Sequence, residues 1–119
     1  MFERKYPNLS SPIRIGAKEF RNRMFSAPMG GTDITDDCSV GPRTQGFYEL
    51  RAIGGAAAVT VSELVVHPDT DASHMYHIDL AVAGNLAGWT YVADGISRHG
   101  AVASVELSHS GQYGTGFAR

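Results

Sequence analysis

Three times along this chain an apolar run stops abruptly at a polar or glycine-rich cluster. Met24-Phe25-Ser26-Ala27-Pro28-Met29 gives way to Gly30-Gly31-Thr32. Ala56 to Val61 gives way to Ser62-Glu63 and then, past Leu64-Val65-Val66, to His67-Pro68. Ala101 to Val105 gives way to Glu106-Leu107-Ser108-His109-Ser110-Gly111. Helix-like segments separate the runs. This alternation is that of a parallel α/β sheet, because neighbouring parallel strands need a crossover, ordinarily a helix. Such sheets place their chemistry beyond the C-terminal ends of the strands, and the three clusters fall there.

Strands are expected over about 24–28, 57–66 and 101–107. Pro28 cannot donate to a ladder and marks the end of the first. The second is almost continuously small or β-branched, as in a strand covered on both faces. Ile13-Arg14-Ile15 and Phe20, around Gly16-Ala17, suggest a short hairpin ahead of the first strand. The first helix is expected to start at Pro42, a favoured first-turn position. Its apolar face is expected to hold Phe47, Leu50 and Ile53, with Arg51 at the negative end of the dipole and Gly54-Gly55 as a left-handed stop. A second helix is expected from Asn85 as N-cap, with Leu86, Trp89, Ala93 and Ile96 as its stripe and His99-Gly100 at its end. The intervening loop, residues 67–84, is expected to have no regular structure, and loops that long tend to be functional.

Strand starts near 24, 57 and 101 fit βα units of about 30 residues or more. Two architectures fit, an open doubly wound sheet or a (β/α)₈ barrel. A dinucleotide-binding sheet should show a Gly-x-Gly-x-x-Gly turn after its first strand; Met29-Gly30-Gly31-Thr32 lacks that spacing, and there is no Walker-type lysine loop. A barrel is favoured.

The 119 residues amount to one domain or part of one, 43% hydrophobic and 18% charged, a composition of ordinary globular proteins. A net charge of −2 gives no footprint for nucleic acid or for an anionic membrane surface. No apolar stretch is long enough to span a bilayer, and the charged N-terminus lacks a signal-peptide core, so the cytoplasm is the default location. The single cysteine, Cys38, cannot form an internal disulfide or hold a cluster, and reads as a loop thiol. His67, His74, His77 and Asp79 match no standard metal-ligand spacing and read as solvated loop residues. Ser62-Glu63 forms no nucleophile elbow.

Taken together, the motifs resemble the old yellow enzyme family of flavin-dependent oxidoreductases. Asn22-Arg23-Met24-Phe25-Ser26-Ala27-Pro28-Met29 is similar to the family's opening strand. Phe47-Tyr48-Glu49-Leu50-Arg51-Ala52-Ile53-Gly54-Gly55-Ala56 is similar to its Tyr…Arg-Ala…Gly-Gly helix end. Val61 to Pro68, Trp89 to Gly100 and Glu106-Leu107-Ser108-His109-Ser110-Gly111 resemble its second strand, second helix and third strand. The resemblance runs from about residue 8 and is nearest to the branch of 2,4-dienoyl-CoA reductases and anaerobic bacterial NADH:flavin oxidoreductases.

That resemblance implies an FMN-bearing (β/α)₈ TIM barrel that reduces activated C=C bonds, of the enoate or enone type, with hydride from NAD(P)H. Larger members add a 4Fe-4S cluster and an FAD region. It also implies that residues 1–119 are an N-terminal fragment, β-α-β-α-β plus a hairpin. The family's substrate residues lie beyond Arg119, and the fragment alone is expected to be inactive, to bind FMN weakly and to aggregate. The resemblance places Pro28, Met29 and Gly30 against the flavin ring, Glu63 at its carbonyl edge and Glu106 at the pyrimidine edge. Glu106 stands where a Gln is usual, Gly30 where Cys or Thr is common, and Gln112 where relatives often have Arg. An ionised glutamate only accepts, so Glu106 is expected to take N3–H and to leave O2 to another donor. His109 is expected to be mainly structural. Other readings are a half-barrel that self-associates or pairs with a missing C-terminal part, a metal-dependent lyase using Glu63, Glu106 and His109, and a non-catalytic remnant.

Overall fold

The computed structural model describes residues 5–30, 33–35, 39–67, 78–80 and 82–113. Cys38, His74 and His77 lie outside them. A helical turn, α1 (Pro7–Ser10), leads into an antiparallel hairpin, β1 (Ile13–Ile15) and β2 (Lys18–Phe20), which turns at Gly16-Ala17 as expected. There follow β3 (Phe25–Met29), α2 (Pro42–Ile53), β4 (Ala58–Val65), β5 (Ile78–Asp79), α3 (Asn85–Ser97) and β6 (Val102–Ser108). Strand β4 is central. It pairs in parallel with β6 along one side and with β3 and then β5 along the other. This is the parallel α/β order that the alternating runs predict.

Two expectations about the strands need correction. Pro28 does not end β3, which runs on to Met29. Register passes from Ser26↔Val59 to Met29↔Val61, so Ala27 and Pro28 together face Thr60 alone. A proline is tolerated within a sheet at such a bulge because no ladder hydrogen bond is asked of it. The segment 67–84 is not without regular structure, since Ile78 and Asp79 form β5 beside Leu64 and Val65.

The helix faces match the expected ones only in part: Ile96 is buried as expected, and Trp89 and Phe47 pack against the core, but the rest of each buried row differs. In α2 the buried residues are Thr44, Tyr48 and Ala52, spaced by four, while Leu50 and Ile53 are 66% and 57% exposed. The larger aliphatics lose to this row because its polar groups find partners. Tyr48 Oη donates to the Met29 carbonyl at 2.7 Å and Thr44 Oγ1 to the Asp33 carbonyl at 2.7 Å. The small Ala52 then lets the helix approach the sheet. In α3 the buried set is Asn85, Val92, Gly95 and Ile96, and Leu86 is 79% exposed. Asn85 is not the N-cap; that position is Gly84, and the Asn85 Oδ1 instead accepts from the Val40 amide at 3.0 Å. Trp89 and Ala93 line an apolar groove of about 440 Å³ beside β6 with Ile96, Val105 and Leu107. The core joins Tyr48 and Ala52 of α2, Val59, Val61 and Leu64 of β4, and Val92 and Ile96 of α3.

Helix ends are satisfied mainly by tertiary partners. Asp33 caps α2 from outside it: its Oδ2 accepts from the Arg43 amide at 2.6 Å and its carbonyl from the Gly41 amide at 2.8 Å. A carboxylate there also meets the positive end of the helix dipole. Gly41 is required by contact, since a Cβ would stand 2.4 Å from Asp33 Cγ. At the other end Gly55 (φ +103) carries the left-handed turn that Gly54 was expected to share; Gly54 is right-handed. The Gly55 amide bonds the Ala52 carbonyl and the Ala56 amide the Arg51 carbonyl, a Schellman stop.

One guanidinium gathers both helix C-termini. Arg21 donates to the His99 carbonyl at 2.6 Å, to Ala52 at 2.8 Å and to Ala56 at 2.7 Å. Beside it the buried Asn22 donates to the Gly55 carbonyl at 2.7 Å and accepts from the Met24 amide at 2.9 Å. Glu49 Oε1 adds a link from α2 to the end of α3, 3.0 Å from Arg98 Nε and 2.8 Å from His99 Nε2. These contacts lie at the N-terminal ends of the strands, away from the polar clusters. Replacing Asn22 by Ala strands a donor and an acceptor and is expected to cost about 2 kcal/mol, read as a lowered midpoint in chemical or thermal unfolding. An unchanged midpoint would show that the two bonds contribute nothing.

Candidate active site at the strand ends

The residues singled out from the sequence come together at the C-terminal ends of β3, β4 and β6. On β4 and β6, Val61 pairs with Val105 and Leu64 with Leu107, so Ser62 and Glu63 together face Glu106 alone. This second bulge has a clear cause. Val61 and Leu64 both belong to the core under the helices, at 2% and 1% exposure. In a regular strand, residues three apart point to opposite faces. One extra residue restores both to the same face.

The strain of this arrangement falls on Glu63. Its φ is +55, and no other non-glycine residue among those described has a positive φ. Left-handed backbone is disfavoured for a side chain with a Cβ and collects at functional sites. Glu63 is half-buried and borders the bare backbone of Gly30, where an added Cβ would stand 3.9 Å from its Oε2. Glu106 is exposed and shares its strand face with Ser104, whose hydroxyl meets that of Thr60 at 2.8 Å. That face is opposite the one bearing Val59, Val61 and Ala103, which pack toward the helices.

Pro28 lies in the β3 bulge. Met29 is the last residue of β3. Its side chain is on the helix side, where Arg51 Nη2 approaches Sδ at 3.5 Å, and its carbonyl is held by Tyr48. His109 closes the turn after β6, its Nδ1 accepting from the Gly111 amide at 3.0 Å. Glu63, Glu106 and His109 do not form a three-ligand metal group, nor does any other His, Cys, Asp or Glu set among the described residues. Tyr48, Asp33 and Arg51 were not picked out as site supports. The spacing Thr44-Tyr48-Ala52 was readable as a helical row, but the partners of these side chains come from β3 and the loop after it.

The rim therefore offers bare backbone at Gly30 and two carboxylate acceptors on neighbouring strands. One backbone donor and one carboxylate of this set match a carbonyl and the N–H of a flavin's pyrimidine edge, while a second ionised carboxylate finds no further donor on that edge. Two of the described arginines are engaged elsewhere: Arg51 lies over the Phe47 ring at 3.6 Å from its centroid, and Arg21 is at the opposite end of the strands.

The NADH:flavin oxidoreductase / NADH oxidase family matches the chain over residues 8–116. An NADH oxidase of Thermoanaerobacter brockii is 28% identical over 110 residues, covering 92% of this chain and 17% of that protein. The structure of a 2-naphthoyl-CoA reductase in complex with 2-naphthoyl-CoA superposes with a TM-score of 0.81 at 28% identity, over 93% of this chain and 17% of that one. The old yellow enzyme of Trypanosoma cruzi superposes with a TM-score of 0.80 at 23% identity, over 93% of this chain and 29% of the other. The chain thus spans under a third of these relatives' lengths and has the parallel α/β fold of the corresponding portion of an old yellow enzyme.

The strain at Glu63 has a measurable signature. In an ordinary strand, glycine is less stable than alanine by about 0.5–1 kcal/mol. At residue 63 the order is expected to reverse, with Glu63→Gly more stable than Glu63→Ala by about 1 kcal/mol. Both variants remove the carboxylate, so its contacts cancel in the comparison. Denaturant unfolding of the pair decides it, and a more stable alanine variant would rule out a left-handed residue 63.

Proposed function

The chain belongs to the NADH:flavin oxidoreductase / NADH oxidase family, and from that premise we propose that residues 1–119 form part of the FMN-binding (β/α)₈ barrel of an oxidoreductase that takes hydride from NAD(P)H and reduces activated C=C bonds. The observation that carries the proposal is the double bulge, which brings Gly30, Glu63 and Glu106 to one rim at the ends of three parallel strands. The match to a structure solved with 2-naphthoyl-CoA supports a conjugated carbonyl or thioester compound as substrate, the wider class including enones and enoates.

In this reading the backbone of Pro28, Met29 and Gly30 borders the flavin ring. Glu106 accepts from the pyrimidine N3–H, and Glu63 stands at the carbonyl edge. FMN, when bound, would supply the two-electron redox chemistry that links NAD(P)H to the activated C=C bond. The chain's own part is to hold the ring flat against the strand ends, to keep water from one side of it, and to set the polarity at its edges. The phosphate site, the substrate-protonating residues, and any 4Fe-4S cluster and FAD are assigned to regions outside residues 1–119. The single cysteine does not supply four thiolates. No helix among the described residues is long and apolar enough to cross a membrane, and we assign the protein to the cytoplasm. The exposed Val105 and Leu107 beside the groove support burial of the outer side of β6 against further βα units in the complete barrel.

The intact protein is expected to purify with FMN and to lose its oxidised-flavin absorbance when NADH or NADPH is added without oxygen. A protein that takes up no FMN, or whose flavin neither nucleotide reduces, would contradict the proposal. Glu106→Gln keeps an acceptor and is expected to retain FMN. Glu106→Leu removes it and is expected to weaken FMN binding about tenfold, the effect of one ordinary to charge-assisted hydrogen bond. Equal affinity in both variants would remove Glu106 from the site.

A further inference from the structure

Two side chains of α2, one turn apart, close on the last residue of β3. Tyr48, fully buried, donates through Oη to the Met29 carbonyl at 2.7 Å. Arg51 brings Nη2 to 3.5 Å from the Met29 Sδ while its guanidinium lies on the Phe47 ring and donates to the Phe47 carbonyl. Phe47 in turn meets Tyr48 edge-on, with ring centroids 5.1 Å apart at 81°. Met29 stands just past the bulge at Ala27 and Pro28, where pairing to β4 resumes with Val61.

The Met29 carbonyl and the Gly30 N–H belong to one planar trans peptide unit, in which C=O and N–H point in opposite directions. No peptide bond in the described chain is cis. Tyr48 holds the carbonyl on the helix side of the sheet. The Gly30 N–H is thereby aimed at the other side, the face that carries Glu106 and borders Glu63. Because residue 30 is glycine, no Cβ shields this donor.

We propose that Tyr48 is a positioning residue: by fixing the Met29 carbonyl it orients the Gly30 N–H as a hydrogen-bond donor to the bound ring. This role rests on the FMN reading given above and adds to it a residue that does not itself touch the flavin.

Tyr48→Phe keeps the buried ring and deletes only the hydroxyl. In the intact protein, hydrogen exchange across residues 27–30 is expected to quicken about tenfold, as for loss of one hydrogen bond, while exchange in α2 and the middle of β4 stays as in the parent. FMN, titrated by fluorescence quenching, is expected to bind about tenfold more weakly to the variant by the same reasoning, with its visible absorption band shifted. In the parent, without any substitution, saturating FMN is expected to slow exchange at Gly30. Unaltered exchange at 27–30, unaltered FMN affinity, or FMN binding that leaves Gly30 unprotected would each overturn the role of Tyr48 while leaving the FMN reading intact. A parent protein that takes up no FMN would overturn both.

Discussion

A parallel strand with helices packed on one face must keep its apolar residues on that face for its whole length, yet a catalytic rim needs polar groups and open backbone at the strand's end. Strand β4 meets both demands with one extra residue. Val61 and Leu64 stay in the core beneath α2 and α3, and the two residues between them face a single residue of β6. The cost is a glutamate in left-handed backbone, of the order of 1–2 kcal/mol. Burying a leucine side chain against leaving it in water is worth about 1.5–3 kcal/mol. A straight strand would turn Leu64 out of the core to relax Glu63, so the bulge is favoured by packing alone. Its placement of Glu63 and Glu106 at one rim then follows from the fold.

The two ends of the sheet are held by different physics. At the N-terminal ends of the strands, Arg21 and Asn22 satisfy the carbonyls that end α2 and α3, and Glu49 ties the helices together. Charge and dipole are matched there, with side chains donating to groups that would otherwise face solvent or each other. At the C-terminal ends, the Tyr48 hydroxyl and the Arg51 guanidinium of α2 contact the last residue of β3, and the carboxylates lie outside the core. Conserving backbone order at one end leaves the other able to carry strain and exposed acceptors, the division expected where strand ends host chemistry.

The sequence carried the βα order, the hairpin and the approximate strand limits because those depend on local runs of apolar and β-branched residues. Motif likeness also singled out Pro28, Met29, Gly30, Glu63 and Glu106, which lie toward the C-terminal ends of β3, β4 and β6. It carried the helix faces only in part, placing Phe47, Trp89 and Ile96 against the core but not the rest of each buried row. Leu50 and Ile53 outrank Thr44 and Ala52 in hydrophobicity, but the buried row was chosen by hydrogen-bond partners on β3 and in the loop at Asp33. Asn85 has the composition of a cap, yet its amide bonds a residue 45 positions away in sequence. The left-handed Glu63 was equally hidden, because the φ of one residue follows from the registers of two neighbouring strands.

The same logic explains why a proline and a glycine flank Met29. Pro28 has no N–H and can sit only where the ladder lapses; after the lapse at Ala27 and Pro28 the pairing resumes only at Met29 with Val61. The buried phenol of Tyr48 holds the Met29 carbonyl, leaving the amide side of the next residue, Gly30, to face the rim without a side chain. Replacing Gly30 by a larger residue would bring its Cβ to Glu63 Oε2 at ordinary contact distance, 3.9 Å, so the site tolerates a side chain sterically but would have part of its donor surface covered. The strand end is thus arranged from the core outward. The packed row on α2 sets the peptide, the peptide sets the donor, and the bulged strand beside it sets the two acceptors.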